Sequence, residues 1–249
     1  GAMPDGVFAT SDLAAMGAQP LWATLALTVP QAEPTWLAEF SRGLGAVLKA
    51  WQVSLVGGDT TAGPLTITLQ VHGSVQPGKA LRRSGAQVGD KIYVTGFLGD
   101  GAAALACLQG RLCLDSVASA YLTERFYAPE PQLEAGHKLA GVASSAIDIS
   151  DGLLADLTHI LNASGVGAQL ELANVPINPL WANQVEPERA RHWALTGGDD
   201  YQLCFTLAAE LTPPVAATAI GVITQTAGII GREQGREVSL EGGGFEHFR

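Results

Sequence analysis

The feature that most constrains the fold is a polar, glycine-containing stretch over residues 77–90, which separates two runs of strand-like and helix-like patterns. Within the first run, apolar residues recur every three or four positions over 34–51, and this spacing predicts an amphipathic helix. Strand and helix patterns alternate again after the polar stretch. The chain is therefore predicted to be an α+β or α/β protein of two domains, at residues 1–77 and 78–249.

The predicted elements follow one another closely. In the first domain they are a helix over 10–18, a strand over 22–29, the helix over 34–51, and strands over 53–56 and 65–75 that pair as a hairpin. In the second domain they are a strand over 91–95, a helix over 100–108, further helices as far as residue 142, strands over 145–149, 168–172, 201–207 and 221–231, and a helix over 153–163.

Composition argues against several classes of function. With 249 residues and 47% hydrophobic content, the chain can bury a sizeable core. It has no apolar run of about 18 residues, so no membrane span is predicted. A formal charge of -10 argues against a nucleic-acid surface. The cysteines lack metal-binding spacing and no secretion leader is recognised, which predicts reduced thiols in a cytoplasmic protein. The opening Gly1-Ala2-Met3 is typical of tag cleavage and is left out of the fold prediction.

Aspartates stand beside glycine or serine where strands are predicted to end or helices to begin. The segments are Ser11-Asp12, Gly57-Gly58-Asp59-Thr60-Thr61, Asp148-Ile149-Ser150-Asp151-Gly152 and Gly197-Gly198-Asp199-Asp200. Carboxylates at such places stay accessible, and glycines let the backbone approach a ligand closely. In an acidic protein these carboxylates would recruit Mg²⁺, which then becomes the positive charge that binds phosphate.

The segment over 148–152 carries the strongest of these signals. It leaves an apolar strand and enters a helix, so Ser150 or Asp151 could cap that helix. For Asp151, a plain cap and a ligand role stay open as equal alternatives. Asp148 is harder to explain as a cap, because a carboxylate in an apolar strand is costly unless it is paired, exposed or bound to metal.

Other segments have plainer explanations. Residues 57–61 could form a hairpin turn, or a loop whose amides and hydroxyls hold phosphate while Asp59 holds metal. Arg82 and Arg83 could be a solvated basic pair, or could neutralise phosphate charge at the domain junction. Residues 99–101 are predicted to be a simple helix start rather than an anion site. The histidines share no spacing, so none is assigned as a base or a ligand.

Taken together and in order, these motifs resemble the thiamine-monophosphate kinase family of the aminoimidazole ribonucleotide synthetase-like superfamily. They are Ser11-Asp12-Leu13-Ala14-Ala15-Met16-Gly17-Ala18, Leu55-Val56-Gly57-Gly58-Asp59-Thr60-Thr61, Ile147-Asp148-Ile149-Ser150-Asp151-Gly152-Leu153 and Gly197-Gly198-Asp199-Asp200-Tyr201, closed by Gly244-Phe245-Glu246-His247-Phe248. The resemblance implies a two-domain fold of that superfamily in a homodimer. Its N-terminal α/β domain pairs strands across the dimer, and its C-terminal domain is α+β.

The resemblance also implies Mg²⁺-dependent transfer of the ATP γ-phosphoryl group to thiamine monophosphate in one in-line step, giving thiamine diphosphate. By motif, the implied Mg²⁺ ligands are Asp12, Asp59, Asp148 and Asp151, and the implied ATP contacts are Gly58, Asp59, Arg83 and Ser150. Positioning and charge neutralisation would supply the catalysis, because two polyanions must approach each other. No residue is assigned as an acid or a base.

Three positions depart from the family pattern. Gln202 stands where glutamate is more frequent, Phe245 where tyrosine or tryptophan is usual, and Ala62 where arginine is frequent. Gln202 and Phe245 are predicted substrate contacts with altered chemistry. The first offers cationic thiamine a neutral amide, and the second keeps an aromatic face without a polar tip.

The family's N-terminal segment is expected to be missing, because the chain begins almost directly at Ser11-Asp12. In the family that segment supplies further Mg²⁺-binding aspartates, a glycine-containing loop and a substrate-contacting histidine. The N-terminal domain is therefore predicted to be truncated, which leaves the activity of this chain open. Two alternatives follow: a related synthetase with another acceptor, or a nucleotide-binding fragment without turnover.

Overall fold

The computed structural model describes residues 6–240 and places their strands in a sheet of three and a sheet of seven. The first part contains α1 (Gly6–Ala15), β1 (Gln19–Val29), α2 (Pro34–Ala50), β2 (Ser54–Ala62) and β3 (Thr66–Ser74). The second part contains β4 (Lys91–Val94), α3 (Asp100–Leu108), α4 (Ser116–Tyr127), α5 (Leu133–Leu139), β5 (Ser145–Asp148), α6 (Leu153–Ser164), β6 (Gly167–Glu171), a 3₁₀ turn (Leu172–Asn174), α7 (Pro179–Ala182), α8 (Pro187–Thr196), β7 (Leu203–Leu207), β8 (Thr218–Thr224), β9 (Gly228–Glu233) and β10 (Arg236–Ser239).

Most of the predicted elements are confirmed. The helix predicted over 34–51 is α2, the strand over 145–149 is β5 and the helix over 153–163 is α6. Helices packed on mixed sheets confirm the α+β prediction. The boundary after residue 77 stays a prediction, and it falls in an irregular stretch between β3 and β4. Among the described residues, every helix is too short or too polar to cross a bilayer.

The small sheet is built around β1, with strand order β2-β1-β3. The unit β1-α2-β2 is a parallel crossover, and α2 lies against one face of the sheet. On that face Leu48 of α2 is buried against Ala23 of β1, with Leu69 and Val71 of β3 beside them. The opposite face carries Trp22, which stacks on His72 with ring centroids 3.7 Å apart.

The hairpin predicted from residues 53–75 is wrong. β2 continues through the expected turn and pairs in parallel with β1, while β3 pairs with the other side of β1. The structure explains the glycine at position 58: its φ is +154°, and a Cβ there would overlap the carbonyl oxygen of Leu25. The glycine thus permits close approach of two strands, where local residue preferences favoured a turn.

The large sheet has the order β10-β9-β6-β8-β4-β7-β5 and carries the main core. On one face, Leu153, Leu157 and Ile160 of α6 pack in one apolar cluster with Ile147 of β5. On the other face, Leu139 of α5 packs with Tyr93, Phe205 and Ala14. Strand β5 is the end strand of this sheet, and the loop that carries the 148–152 motif follows it directly.

Helix α1 connects the first part of the chain to the large sheet. It packs beside α5 and β5, and its close approach to α5 requires Gly136, where a Cβ would overlap the Ala14 carbonyl oxygen. Gly17 ends the helix at a φ of +68°, and Ala18 donates back to the Leu13 carbonyl at 2.9 Å. This packing brings Ser11 and Asp12 to the end of β5.

Candidate metal and phosphate site

Asp148 is the last residue of β5 and lies at the centre of the candidate site. Its side chain is 7% exposed, and its Oδ2 accepts a hydrogen bond from Ser11 Oγ at 2.7 Å. Burial raises the pKa of Asp148 above its usual value, while the Ser11 hydroxyl and the Arg83 guanidinium oppose that rise. The nearby charge of Asp151 raises this pKa further. A buried carboxylate with a like charge beside it is stabilised by a cation.

Asp12 and Arg83 border the same place from other parts of the chain. Burial raises the pKa of Asp12, the charge of Asp148 raises it further, and Arg83 lowers it. Arg83 is exposed and belongs to the irregular stretch before β4. The structure therefore brings Asp12, Asp148, Asp151 and Arg83 together from three separate segments.

This carboxylate pattern fits Mg²⁺ of the kind that is held jointly by protein and phosphate. Within residues 6–240, no three His, Cys, Asp or Glu side chains form a cage for one ion. Mg²⁺ normally keeps several waters and is bound through one or two carboxylates together with substrate phosphates. Asp148 paired with Asp151 or with Asp12 matches that requirement, so an ion bound here would take one or two of these carboxylates together with phosphate oxygens.

The backbone of the 148–152 loop is held by Asp156, a residue outside the predicted site motifs. Asp156 Oδ2 accepts the N–H groups of Ser150, Asp151 and Gly152 at 3.0, 3.0 and 3.1 Å. Burial raises the pKa of Asp156 to about 7, although these hydrogen bonds oppose the rise. Because its backbone N–H is occupied, Ser150 has only its hydroxyl to offer a nucleotide.

The segment over 197–201 lies alongside this loop. Asp199 N–H donates to the Ser150 carbonyl at 2.9 Å, and Tyr201 N–H donates to the Ile149 carbonyl at 2.9 Å. Gly198 is required here, because a Cβ would overlap the Ser150 carbonyl oxygen. The Tyr201 hydroxyl donates to Asp199 Oδ1 at 2.7 Å, which places the Asp199 carboxylate beside the site. Asp199 and Tyr201 both have positive φ, at 64° and 51°.

Asp200 points away from the loop into a buried polar network. It accepts the N–H groups of Gly99 at 2.7 Å and Gly101 at 3.0 Å, at the start of α3. These amides are therefore occupied from within the protein, which agrees with a structural helix start rather than an anion site. Burial raises the pKa of Asp200 to about 7, against the effect of these two hydrogen bonds.

Asp100 and Arg125 complete the network behind the site. Trp181 Nε1 donates to Asp100 Oδ1 at 2.7 Å, and the Tyr121 hydroxyl donates to Asp100 Oδ2 at 2.5 Å. Arg125 lies 3.8 Å from the same oxygen and donates to the Asp200 carbonyl at 3.3 Å. The network fixes the 197–201 segment to α3 and α4, and hence fixes the wall of the site.

The other predicted site residues lie elsewhere. Gly58 and Asp59 lie on β2 of the small sheet, where Asp59 is exposed and accepts the Thr60 N–H at 2.8 Å. Gln202 is buried, and its amide lies 2.8 Å from Thr95 Oγ1. With its nitrogen toward Thr95, its oxygen accepts from Arg125 Nη2 at 3.1 Å. Phe245 lies outside the described residues.

One sequence signal could have identified Asp156 and Asp200 as buried carboxylates. Asp156 falls among Leu153, Leu157 and Ile160 on a helix that buries those residues, and Asp200 precedes a fully buried strand. A carboxylate in such a context must be paired with donors. The sequence signals that burial, but it does not identify the backbone amides that satisfy the carboxylate.

Two models of the AIR synthase related protein family match the chain. The N-terminal domain model matches residues 7–75 and the C-terminal domain model matches residues 87–232. Thiamine-monophosphate kinase of Escherichia coli (strain K12) is 47% identical over 96% of this chain and 77% of the relative. That of Haemophilus influenzae is 42% identical with the same two coverages, 96% and 77%.

Solved structures that match this chain include thiamine-monophosphate kinases. Thiamine-monophosphate kinase from Stenotrophomonas maltophilia matches with a TM-score of 0.83 at 41% identity, over 89% of this chain and 75% of that chain. AaThiL complexed with AMPPCP and TMP matches with a TM-score of 0.84 at 28% identity, over 96% of this chain and 77% of that chain. The resemblance of the four aspartate motifs is thus confirmed over nearly the whole chain, and the protein belongs to the thiamine-monophosphate kinase family.

Proposed function

We propose that the protein phosphorylates thiamine monophosphate with ATP, giving thiamine diphosphate. The name of its Escherichia coli relative and the AMPPCP and TMP complex of AaThiL support this activity. The single observation that carries it here is Asp148, a buried carboxylate beside Asp12 and Asp151 with Arg83 close by. Such a cluster of repelling carboxylates suits a metal-nucleotide complex, because the metal relieves the repulsion and binds the phosphates.

Asp148, Asp151 and Asp12 are the proposed Mg²⁺ ligands, and Asp59 of the small sheet is proposed as a further one. Bound Mg²⁺ would neutralise phosphate charge and polarise the γ-phosphoryl group. The chain itself orients the carboxylates. The Ser11 hydroxyl holds Asp148 at 2.7 Å, and the Asp156 carboxylate holds the backbone N–H groups of Asp151 and its two neighbours.

The proposed ATP contacts are Gly58, Asp59, Arg83 and Ser150. Arg83 is exposed at the edge of the carboxylate cluster, so its guanidinium is free to meet a phosphate oxygen. Ser150 would donate through its hydroxyl. The acceptor is a phosphate oxygen that is already deprotonated near neutral pH, so in-line transfer needs no general base and no covalent enzyme intermediate.

Gln202 and Phe245 stay proposals as substrate contacts. The burial of Gln202 and its contacts with Thr95 and Arg125 support an indirect role, in which the amide shapes the wall behind the site. Gly96 lies directly over this amide, because a Cβ at Gly96 would be 2.6 Å from the Gln202 Cδ atom.

We also propose a homodimer formed through the small sheet, as part of an N-terminal domain over residues 1–77 that binds ATP and Mg²⁺. The support is the exposed apolar surface of this sheet and its flanks, which carries Leu21, Trp22, Leu55, Val56 and Leu65. All nine residues of β2 are exposed, and β2 is an edge strand that a second chain could cover.

We also propose a cytoplasmic location. Three free thiols, at Cys107, Cys113 and Cys204, support it.

The activity is tested by incubating the purified protein with ATP, thiamine monophosphate and Mg²⁺ and measuring thiamine diphosphate by chromatography. Product should form in proportion to enzyme and should be lost when EDTA removes the metal. Asp148→Asn is the matched variant, because it removes one charge at the centre of the carboxylate cluster and keeps the side-chain volume. If the wild-type protein binds a Mg²⁺-nucleotide but forms no thiamine diphosphate, the proposed acceptor is wrong.

A further inference from the structure

Asp156 lies outside the motifs that identify the family, yet its contacts are concentrated on the site. It is the fourth residue of α6, its side chain is 2% exposed, and one carboxylate oxygen accepts three successive backbone N–H groups. Successive N–H groups that converge on one point form a concavity that in many proteins binds phosphate. In this protein the chain's own carboxylate fills that concavity.

Filling the concavity from inside decides what the 148–152 loop offers to a ligand. The N–H groups of Ser150, Asp151 and Gly152 are directed to Asp156, so they are not available to phosphate oxygens. The carboxylates of Asp148 and Asp151 remain, and they are close enough for the charge of Asp151 to raise the pKa of Asp148. A loop held in this way offers carboxylate side chains to a cation and leaves none of these three amides for an anion.

The geometry differs from that of an ordinary helix cap. A capping residue precedes its helix and accepts N–H groups from within the first turn. Asp156 instead lies inside the helix and accepts N–H groups from the loop before it. Gly152 has a φ of +112°, which lets the loop turn so that its N–H groups point to Asp156. Gly152 also lies against the Thr196 carbonyl, which would be 2.7 Å from an added Cβ, so the loop has little room to take another path.

We propose that Asp156 is a positioning residue for phosphoryl transfer, holding the 148–152 loop so that Asp148 and Asp151 face the nucleotide-bound metal. The proposal rests on the proposed function, since the metal in question is that of the Mg²⁺-nucleotide complex. A role confined to helix stability would lower the melting temperature without changing the Mg²⁺ requirement. A positioning role changes the Mg²⁺ requirement itself.

The test compares Asp156→Asn with Asp90→Asn. Asp90 is a matched control, because it is 5% exposed and its Oδ2 accepts the Gln87 N–H at 3.0 Å away from the carboxylate cluster. The amide oxygen of Asp156→Asn accepts the three N–H groups more weakly than a carboxylate oxygen does, which loosens the loop. We therefore expect the half-saturating Mg²⁺ concentration to rise by about tenfold, as for residues that orient metal ligands. The KM for thiamine monophosphate should stay within about twofold of wild type. Asp90→Asn should leave both values unchanged.

A second measurement separates this proposal from the proposed function. Calorimetry with Mg²⁺ and a nonhydrolysable ATP analogue needs no turnover, so it remains informative if thiamine monophosphate is not the acceptor. Tenfold weaker binding in Asp156→Asn supports the positioning role. The proposal is overturned if Asp156→Asn binds as wild type does, if Asp90→Asn weakens binding equally, or if the wild-type protein binds no Mg²⁺-nucleotide. Circular dichroism confirms folding, and the isosteric Asn substitution avoids a cavity.

Discussion

Asp148 and Asp59 follow similar sequence signals but occupy opposite environments. Asp148 ends a buried strand of the large sheet and is surrounded by Ser11, Asp12, Asp151 and Arg83. Asp59 lies within an exposed edge strand of the small sheet. The difference shows that a short motif of aspartate with nearby glycine or serine marks a candidate ligand, while the surrounding fold decides whether its carboxylate is held in place.

The comparison also separates two ways of building a site. In the large sheet, buried carboxylates that are satisfied by backbone N–H groups hold the loops, as Asp156 and Asp200 do. In the small sheet, an exposed face and an exposed strand leave room for a second chain. In the large sheet, these carboxylates find their hydrogen-bond donors within the described residues. In the small sheet, the exposed surface is suited to contact with a second chain. Each of the following variants tests one side of this comparison.

The largest effect is expected for Asp148→Asn. Removing a proposed metal ligand should lower kcat/KM for thiamine monophosphate by at least about 100-fold. The melting temperature should stay the same or rise, because the substitution relieves repulsion by Asp12 and Asp151 around a buried charge. Steady-state kinetics and calorimetric melting measure both quantities on one preparation.

Two companion variants make that result specific. Asp59→Asn should leave the melting temperature unchanged because the carboxylate is exposed, and its effect on kcat/KM measures whether Asp59 is a ligand. Asp115→Asn removes an exposed aspartate that caps α4, away from the carboxylate cluster, and should leave kcat/KM unchanged. Wild-type activity in Asp148→Asn would remove Asp148 from the proposed ligands.

The second prediction concerns the small sheet and compares two exposed valines. Val56 on β2 is 60% exposed and Val117 on α4 is 63% exposed. A lysine at either position is tolerated by the single chain, but at the proposed dimer interface it would bury an unpaired charge. We expect Val56→Lys to halve the mass measured by light scattering at micromolar concentration. Val117→Lys should retain the wild-type mass, and equal masses for all three proteins would refute the small-sheet dimer.

The contrast between the sheets also explains what the sequence could predict. Helix α2 and the β5-loop-α6 segment were predicted closely, since local periodicity and one strand-to-helix transition define them. The strand β2 was mistaken for half of a hairpin because Gly57 and Gly58 favour a turn locally, whereas pairing with β1 extends the strand. Long-range pairing of this kind leaves no signal within a short window of residues.

Some site residues could be predicted from the sequence and others could not. Asp12, Asp148, Asp151 and Arg83 were predicted from motifs and are brought together by the fold. The role of Asp156 was missed, because its importance depends on the direction of backbone N–H groups that only the folded loop defines. The sequence therefore indicated the groups that face a ligand better than the groups that hold them in place.

The third prediction tests the buried network of the large sheet through its pH dependence. The pKa of Asp200 rises from 3.8 to about 7 on folding, so between these values the folded protein holds a proton that the unfolded chain has released. Its contribution to stability is therefore full below about pH 4 and is lost as pH rises through about 7. At about 1.4 kcal/mol per pKa unit, the free energy of unfolding should fall by up to about 4 kcal/mol across this range.

Asp200→Asn should flatten that dependence. An amide does not titrate over this range, but it keeps an oxygen for only one of the two N–H groups, because Gly99 donates to Oδ2 and Gly101 to Oδ1. The variant should therefore be less stable than the wild-type protein, and the test rests on the pH dependence of stability. Urea unfolding of the wild-type protein and the variant at several pH values measures the difference between the two slopes. Asp156 adds a slope of the same sign to both proteins, so it cancels in that difference. Parallel curves for the two proteins would mean that Asp200 does not titrate in this range.

The smallest effect is expected for Gln202→Glu, which restores the residue more frequent in the family. The side chain is buried between Thr95 and Arg125, so the new carboxylate would accept a charge-assisted hydrogen bond from Arg125. It would also add charge near Asp100 and Asp200, which Arg125 already contacts. These effects oppose each other, because burying the new charge costs free energy that the ion pair with Arg125 offsets, and the KM for thiamine monophosphate should change by less than about threefold. A larger fall in KM with an unchanged melting temperature would place residue 202 in direct contact with the cationic substrate. Residue 202 would then be a substrate contact rather than part of the buried network behind the site.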